Sequence, residues 1–173
     1  WAGIAVLDIG QEELQVIKHQ GKVAATAAAV AAVKPTGTSG IAHTRWATHG
    51  EPSDRNAHPH PDCRGTLAVV HNGQLTNYQA LKKQLQSQGH TFQSDTDTEV
   101  LAHLLEDFRA AGDDLVTAVQ KTTQVIAGGT YALVAIDAAS PETLVAACMG
   151  SPLYVGLAKD GLFLASDHRA FRA

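Results

Sequence analysis

The chain has 173 residues, of which 45% are hydrophobic and 17% charged, with a formal charge of −4. That length and composition suit one domain with a sizeable core. Without a dense Lys/Arg run there is no surface for displacing counterions from nucleic-acid phosphates, and no apolar stretch is long enough to cross a bilayer. The expectation is a cytoplasmic protein with no nucleic-acid or membrane partner and a small molecule as its ligand.

Residues 3–9 alternate and are rich in Ile and Val, which predicts a strand; Gly10 supplies a turn before the segment 14–18. The Ala-rich run 24–33 suits a short helix that Pro35 and Gly37 terminate. Residues 40–47 read as a strand with several polar side chains, as expected of one that ends in a site. A long loop over 51–64 follows, then a strand over 66–71 that ends at the turn dipeptide Asn72-Gly73.

Apolar residues at helical spacing predict helices over 77–88, 98–109 and 113–126, the last with Leu115, Val116, Val119 and Val125 on its apolar side. Short strands over 131–137, 143–148, 153–157 and 162–165 then read as an antiparallel meander. Consecutive helices flanked by strands, with no βαβ alternation, favour an α+β fold of antiparallel sheets covered by helices.

Cys63 lies in a polar, His/Pro-rich loop and Cys148 ends an apolar run, and neither belongs to a CxxC unit. Both read as reduced thiols, with a long-range disulfide left open.

The suggestive polar groups concentrate in four blocks: His-Thr-Arg-Trp-Ala-Thr-His-Gly at 43–50, Asn-Ala-His-Pro-His at 56–60, His-Asn-Gly at 71–73 and Asp-Thr-Asp-Thr-Glu at 95–99. Arg45 offers a planar fork that grips a carboxylate through two parallel hydrogen bonds, although taken alone a structural salt bridge is the commoner use of such a residue. Asp97 opens a predicted helix, where capping the first turn is its ordinary role, in competition with Asp95. Facing one pocket, however, Arg45 and Asp97 would be opposite poles matching the α-carboxylate and α-ammonium of an amino acid.

A helix follows Asn72-Gly73, so a two-residue hairpin is disfavoured there. An Asn amide and a Gly N–H at a strand end can instead aim two donors at a developing oxyanion. His43, His49, His58, His60 and His71 raise a metal hypothesis, but their spacing matches no zinc pattern, and structural histidines around a polar site are preferred. No metal and no cofactor is therefore expected. Trp46 alternates with Arg45, and core packing accounts for it.

Together the four blocks resemble the glutaminase domain of the glucosamine-6-phosphate synthase family, class II amidotransferases of N-terminal-nucleophile type. They occur in that family's order and similar spacing, followed by matches at 129–131, 150–153 and 165–167, so the likeness covers essentially the whole chain. It implies a four-layer αββα sandwich with two antiparallel sheets between helices.

It also implies hydrolysis of L-glutamine by a Cys thiolate. The ammonia passes to a downstream sugar-phosphate isomerase domain that accepts fructose 6-phosphate, in an enzyme that is homodimeric at full length. By matching motif positions, Arg45 would bind the glutamine α-carboxylate and Asp97 its α-ammonium. Asn72 and Gly73 would form the oxyanion hole, and Thr48 and His49 would line the substrate pocket. Trp46 would gate ammonia or pack in the core, and His58 and His71 would belong to the supporting polar shell.

The segment that would open with the catalytic Cys does not precede Ala2, and neither Cys63 nor Cys148 matches it. The chain thus reads as a single amidotransferase domain over 1–173, incomplete at both ends and inert as it stands. Gln74-Leu75-Thr76 departs toward the phosphoribosylamine-forming amidotransferases, which keeps that acceptor open. A non-catalytic glutamine-binding module is the third reading.

Overall fold

The structure is a computed structural model and describes residues 1–45, 51 and 53–172. Strand β1 (Ala2–Leu7) is central in a sheet ordered β2-β1-β3, with β2 (Gln15–His19) and β3 (Ser39–Thr44) antiparallel on either side. A second antiparallel sheet is ordered β4-β5-β6-β7, comprising β4 (His60–Pro61), β5 (Leu67–Gly73), β6 (Tyr131–Asp137) and β7 (Leu144–Met149).

The period of two along each strand sorts these residues into layers. Ala68 and Val70 of β5 and Val134 and Ile136 of β6 face Ala5, Leu7 and Ile41, and so form a core between the sheets. Their neighbours Leu67, Val69, Leu133 and Ala135 face the other way, onto three helices. These are α2 (Tyr78–Ser87), α3 (Glu99–Ala110) and α4 (Leu115–Val125), whose Leu81, Leu85, Leu101, Leu105 and Val119 fill that second core.

Helix α1 (Val23–Val33) lies over the outer face of the first sheet, where Thr26 Oγ1 donates to the Ala2 carbonyl at 3.2 Å. The order is thus helix, sheet, sheet, helices: an α+β sandwich with four layers. Every residue of β6 is buried, as a strand covered on both faces requires, and its unbroken apolar run Tyr131–Ile136 reflects this.

Four expectations need correction. The region 51–64 is not all loop, because His60 and Pro61 pair with Val69 and Ala68. The meander does not run through all four late strands: β8 (Tyr154–Ala158) and β9 (Gly161–Ala165) form a separate two-stranded ribbon. Val116 and Val125 lie on the exposed side of α4, whose buried face is Leu115, Ala118, Val119 and Thr122. Neither Asp95 nor Asp97 caps α3, which begins beyond both. The strand expected over 40–47 is observed as Ser39–Thr44; Trp46 lies outside the described residues, as do Thr48 and His49. No described helix is long and apolar enough to cross a membrane.

Candidate active site

The 56–60 block approaches the first sheet where β1 carries Gly3. A Cβ at that position would stand 2.2 Å from the His58 carbonyl oxygen, so only glycine allows the 56–60 block to press against the first sheet. From this closure β3 and β5 run out to a common end. There they open a cavity of about 290 Å³ lined by His43, Thr44, Arg45, His58, His71, Asn72, Gly73, Thr96, Asp97 and Thr98.

Arg45 follows β3, and its backbone N–H donates to the Trp1 carbonyl at 2.8 Å. Its guanidinium carbon lies 5.8 Å from the centre of the Trp1 ring, so the side chain is braced on an aromatic face. Only 6% of Arg45 is exposed. Burial lowers its pKa from the ordinary arginine value, while the Asp97 carboxylate pulls the other way and favours the charge.

Asp97 is equally buried, and one of its oxygens is committed: Oδ2 accepts the Leu75 backbone N–H at 2.9 Å. That bond ties the segment before α3 to the chain leaving β5, and so fixes Asp97 beside the Asn72-Gly73 corner. A Cβ on Gly73 would meet the Thr130 carbonyl oxygen at 2.2 Å and His71 Nε2 at 2.9 Å, and its φ is +152°. Glycine is therefore required at this corner by the backbone that passes behind it. Asn72 is exposed to the cavity, and no described residue engages its side-chain amide.

Beneath the cavity lies a shell of imidazoles. His43 and His58 stack with centroids 4.3 Å apart, and His58 meets His60 edge-on at 4.8 Å. The His71 backbone N–H donates to His58 Nδ1 at 3.3 Å; Thr98 Oγ1 lies 3.0 Å from His71 Nδ1 and 3.4 Å from His58 Nε2. His60 Nε2 reaches Thr96 Oγ1 at 3.1 Å.

Burial holds His43 down at about 4, helped by the positive charges of His71 and Arg45. Burial also lowers His60 to about 3, with the Lys18 ammonium acting in the same direction, and drives His58 well below its usual value. His71 is lowered by burial against the opposing pull of Asp97. The shell is therefore neutral near pH 7 and supplies orientation, not charge.

The loop carrying Asp97 is fastened from the other side by Glu99. Its carboxylate accepts the backbone N–H of Gln93 at 2.7 Å, that of Ser94 at 2.6 Å and the Ser94 hydroxyl at 2.6 Å. Burial raises this carboxyl, but the His103 imidazole and the hydrogen bonds of Ser94 and Gln93 outweigh it and bring Glu99 to about 2. Asn56, fully buried, donates to the Glu51 carbonyl at 2.9 Å and accepts the Asp95 N–H at 2.9 Å, which docks the 56–60 block on the same loop.

The structure thus gathers Arg45, Asn72, Gly73, Asp97, His58 and His71 at one cavity. Sequence reasoning treated Glu99 and Asn56 only as motif letters, though both anchor the loop. Neither cysteine lines the cavity, and both are free thiols.

Residues 43–173 match the family model described as a glutamine amidotransferase domain. The chain belongs to the glutamine amidotransferase domain family. The chain is 51% identical over 169 residues to the glutamine–fructose-6-phosphate aminotransferase (isomerizing) of Haemophilus influenzae, covering 98% of the chain and 27% of that protein. It is 46% identical over 166 residues to the protein of the same name from Pyrobaculum aerophilum, covering 96% and 27%.

Among solved structures, the chain superposes on the glutamine phosphoribosylpyrophosphate amidotransferase of B. subtilis with a TM-score of 0.80 and 32% identity, covering 99% of the chain and 36% of that one. A glutamine aminotransferase class-II domain protein from Silicibacter pomeroyi shares the fold, with a TM-score of 0.60 at 18% identity. These neighbours have the N-terminal-nucleophile amidotransferase fold, to which the four layers conform. The chain spans about 27% of the length of the curated relatives it matches.

Proposed function

We propose that this domain binds L-glutamine in the cavity between β3, β5 and the segment before α3 and hydrolyses its side-chain amide to glutamate and ammonia. The observation that carries this reading is the convergence of Arg45, Asp97 and the Asn72-Gly73 corner on one cavity. The Arg45 fork takes the α-carboxylate and the Asp97 carboxylate the α-ammonium, which directs the amide end toward Asn72 and Gly73. By the family resemblance Thr48 and His49 would contribute to the substrate pocket and Trp46 to the passage of ammonia, while His58 and His71 hold the neutral shell beneath.

Attack of a thiolate on the amide carbon would place negative charge on the carbonyl oxygen. The Asn72 amide and the Gly73 N–H would stabilise that charge before ammonia leaves and water cleaves the thioester. Neither Cys63 nor Cys148 lines the cavity, so this reading takes the thiolate from a residue outside 1–173, as the family resemblance implies.

The ammonia acceptor is fructose 6-phosphate, bound by a sugar-phosphate isomerase domain of a homodimeric, cytoplasmic full-length protein. Identities of 46–51% to enzymes named for that acceptor support it over the phosphoribosylamine-forming alternative, whose structural representative is 32% identical. Glutamate release by the full-length protein, measured with each acceptor in turn, tests both points. Stimulation by fructose 6-phosphate is expected; stimulation by phosphoribosyl pyrophosphate instead would move the assignment. Glutamine binding with no turnover would leave a non-catalytic binding module.

A further inference from the structure

Apart from the residues that line the substrate cavity, four side chains from three segments converge: Cys63 beyond β4, His90 between α2 and α3, and His103 with Glu106 on α3. Each contributes one potential ligand atom, and all of these atoms lie within 4.8 Å of one another. His103 and Glu106 are three residues apart on a helix, which puts them on one face.

Four of the six spacings among these atoms are close to those of a coordination tetrahedron, and the other two are within 4.8 Å. Cys63 Sγ is 3.5 Å from both His90 Nδ1 and His103 Nδ1, and Glu106 Oε2 is 3.1 Å from both of those nitrogens. A tetrahedral zinc ion with bonds of about 2.3 Å to sulfur and about 2.0–2.1 Å to nitrogen or oxygen separates S from N by about 3.6 Å and N from O by about 3.3 Å. The cluster needs only small shifts to meet both spacings.

The outer face of the His90 ring strengthens the case. His90 Nε2 lies 2.9 Å from Asp107 Oδ1, and His103 Nε2 lies 3.8 Å from Glu99 Oε1. At His90 the Asp107 carboxylate draws the ring proton to Nε2 and leaves the Nδ1 lone pair directed into the cluster, which is how outer carboxylates orient metal-bound histidines; Glu99 stands too far from His103 Nε2 to make the same bond.

We propose that Cys63, His90, His103 and Glu106 form a structural site for a zinc-class transition metal ion. One thiolate, two imidazoles and one carboxylate suit a borderline-soft cation, not magnesium or calcium. Four protein ligands close the coordination sphere, so the site braces the fold and performs no chemistry. Cys63 is exposed and gives the ion an entry path.

The ion would pin the β4–β5 connection and the α2–α3 connection to α3. Through His103 and Glu99 it would stiffen the loop that carries Asp97.

The test is metal content and spectroscopy on the full-length protein, purified without a histidine tag and incubated with zinc chloride before desalting. About one zinc ion per chain is expected. Replacement by cobalt(II) should give a thiolate-to-metal charge-transfer band that Cys63→Ser abolishes. Asp107→Asn, which leaves all four ligands in place, should weaken zinc binding by about 10–100-fold. Circular dichroism checks that both variants remain folded. Wild-type protein retaining no zinc above buffer, or a cobalt spectrum unchanged in Cys63→Ser, would overturn the proposal.

Discussion

Arg45 and Asp97 stand on different layers of the sandwich, one at the end of a strand and the other before a helix, yet they line one cavity and Asp97 is the carboxylate that favours the Arg45 charge. Two buried groups of opposite sign held this way present a zwitterion with a positive and a negative pole at fixed separation. Replacing Arg45 with Lys keeps the charge but removes the two-pronged grip. The loss of one charge-assisted hydrogen bond, about 1.5–3 kcal/mol, should lower kcat/KM for glutamine by roughly ten- to a hundredfold, as steady-state glutaminase assays of the full-length protein would register.

Asp97→Asn should weaken glutamine use more than use of an analogue lacking the α-amine, because only the former places a cation against this side chain. Equal losses for the two substrates, measured side by side, would instead point to collapse of the Leu75 bond.

At the oxyanion corner the two residues should respond differently. The Asn72 side chain is exposed and no described residue bonds to it, so Asn72→Ala should leave Tm nearly unchanged while kcat falls by about 10²–10³. Gly73→Ala pushes a methyl group into the Thr130 carbonyl, and both Tm and activity should drop. A fully active Gly73→Ala protein with wild-type Tm would remove the steric argument.

Much of this site was legible in the sequence, because its residues sit in short blocks whose chemistry is local: a fork, a carboxylate, an amide beside a glycine. The reasons Asp97 is held where it is were less legible. Its first-turn position suggested a helix cap, whereas the structure uses it to receive the Leu75 amide, a contact set by the path of the chain after β5. The helices were readable from their spacing, but Val116 and Val125 were placed on the wrong side of α4, since which apolar stripe is buried depends on what packs against it.

The Cys63, His90, His103 and Glu106 cluster was invisible for a similar reason. Cys63 lacks a partner near it in sequence, and only folding brings α3 beneath its loop. The His103-x-x-Glu106 spacing on a predicted helix was the one signal that could have flagged it.

Acid should loosen the domain before its carboxylates titrate. Unfolded histidines protonate near about 6.5, whereas folding lowers His43 to about 4 and His60 to about 3. Between those limits the unfolded state binds more protons, so stability rises with pH and is lost as the pH falls from about 6.5 toward 4. Glu99, held at about 2, adds stability that is present above its unfolded pKa near about 4.5 and disappears only below it. Melting temperatures of the full-length protein should therefore already fall between pH 7 and pH 5, and His60→Gln should flatten that slope.

The most direct measurement is a crystal structure of the full-length protein with the product L-glutamate bound. The account predicts the α-carboxylate in a two-pronged contact with Arg45, the α-ammonium on Asp97 and the side-chain carboxyl at the Asn72-Gly73 corner. Glutamate bound outside this cavity, or reversed within it so that its ammonium faces away from Asp97, would contradict it.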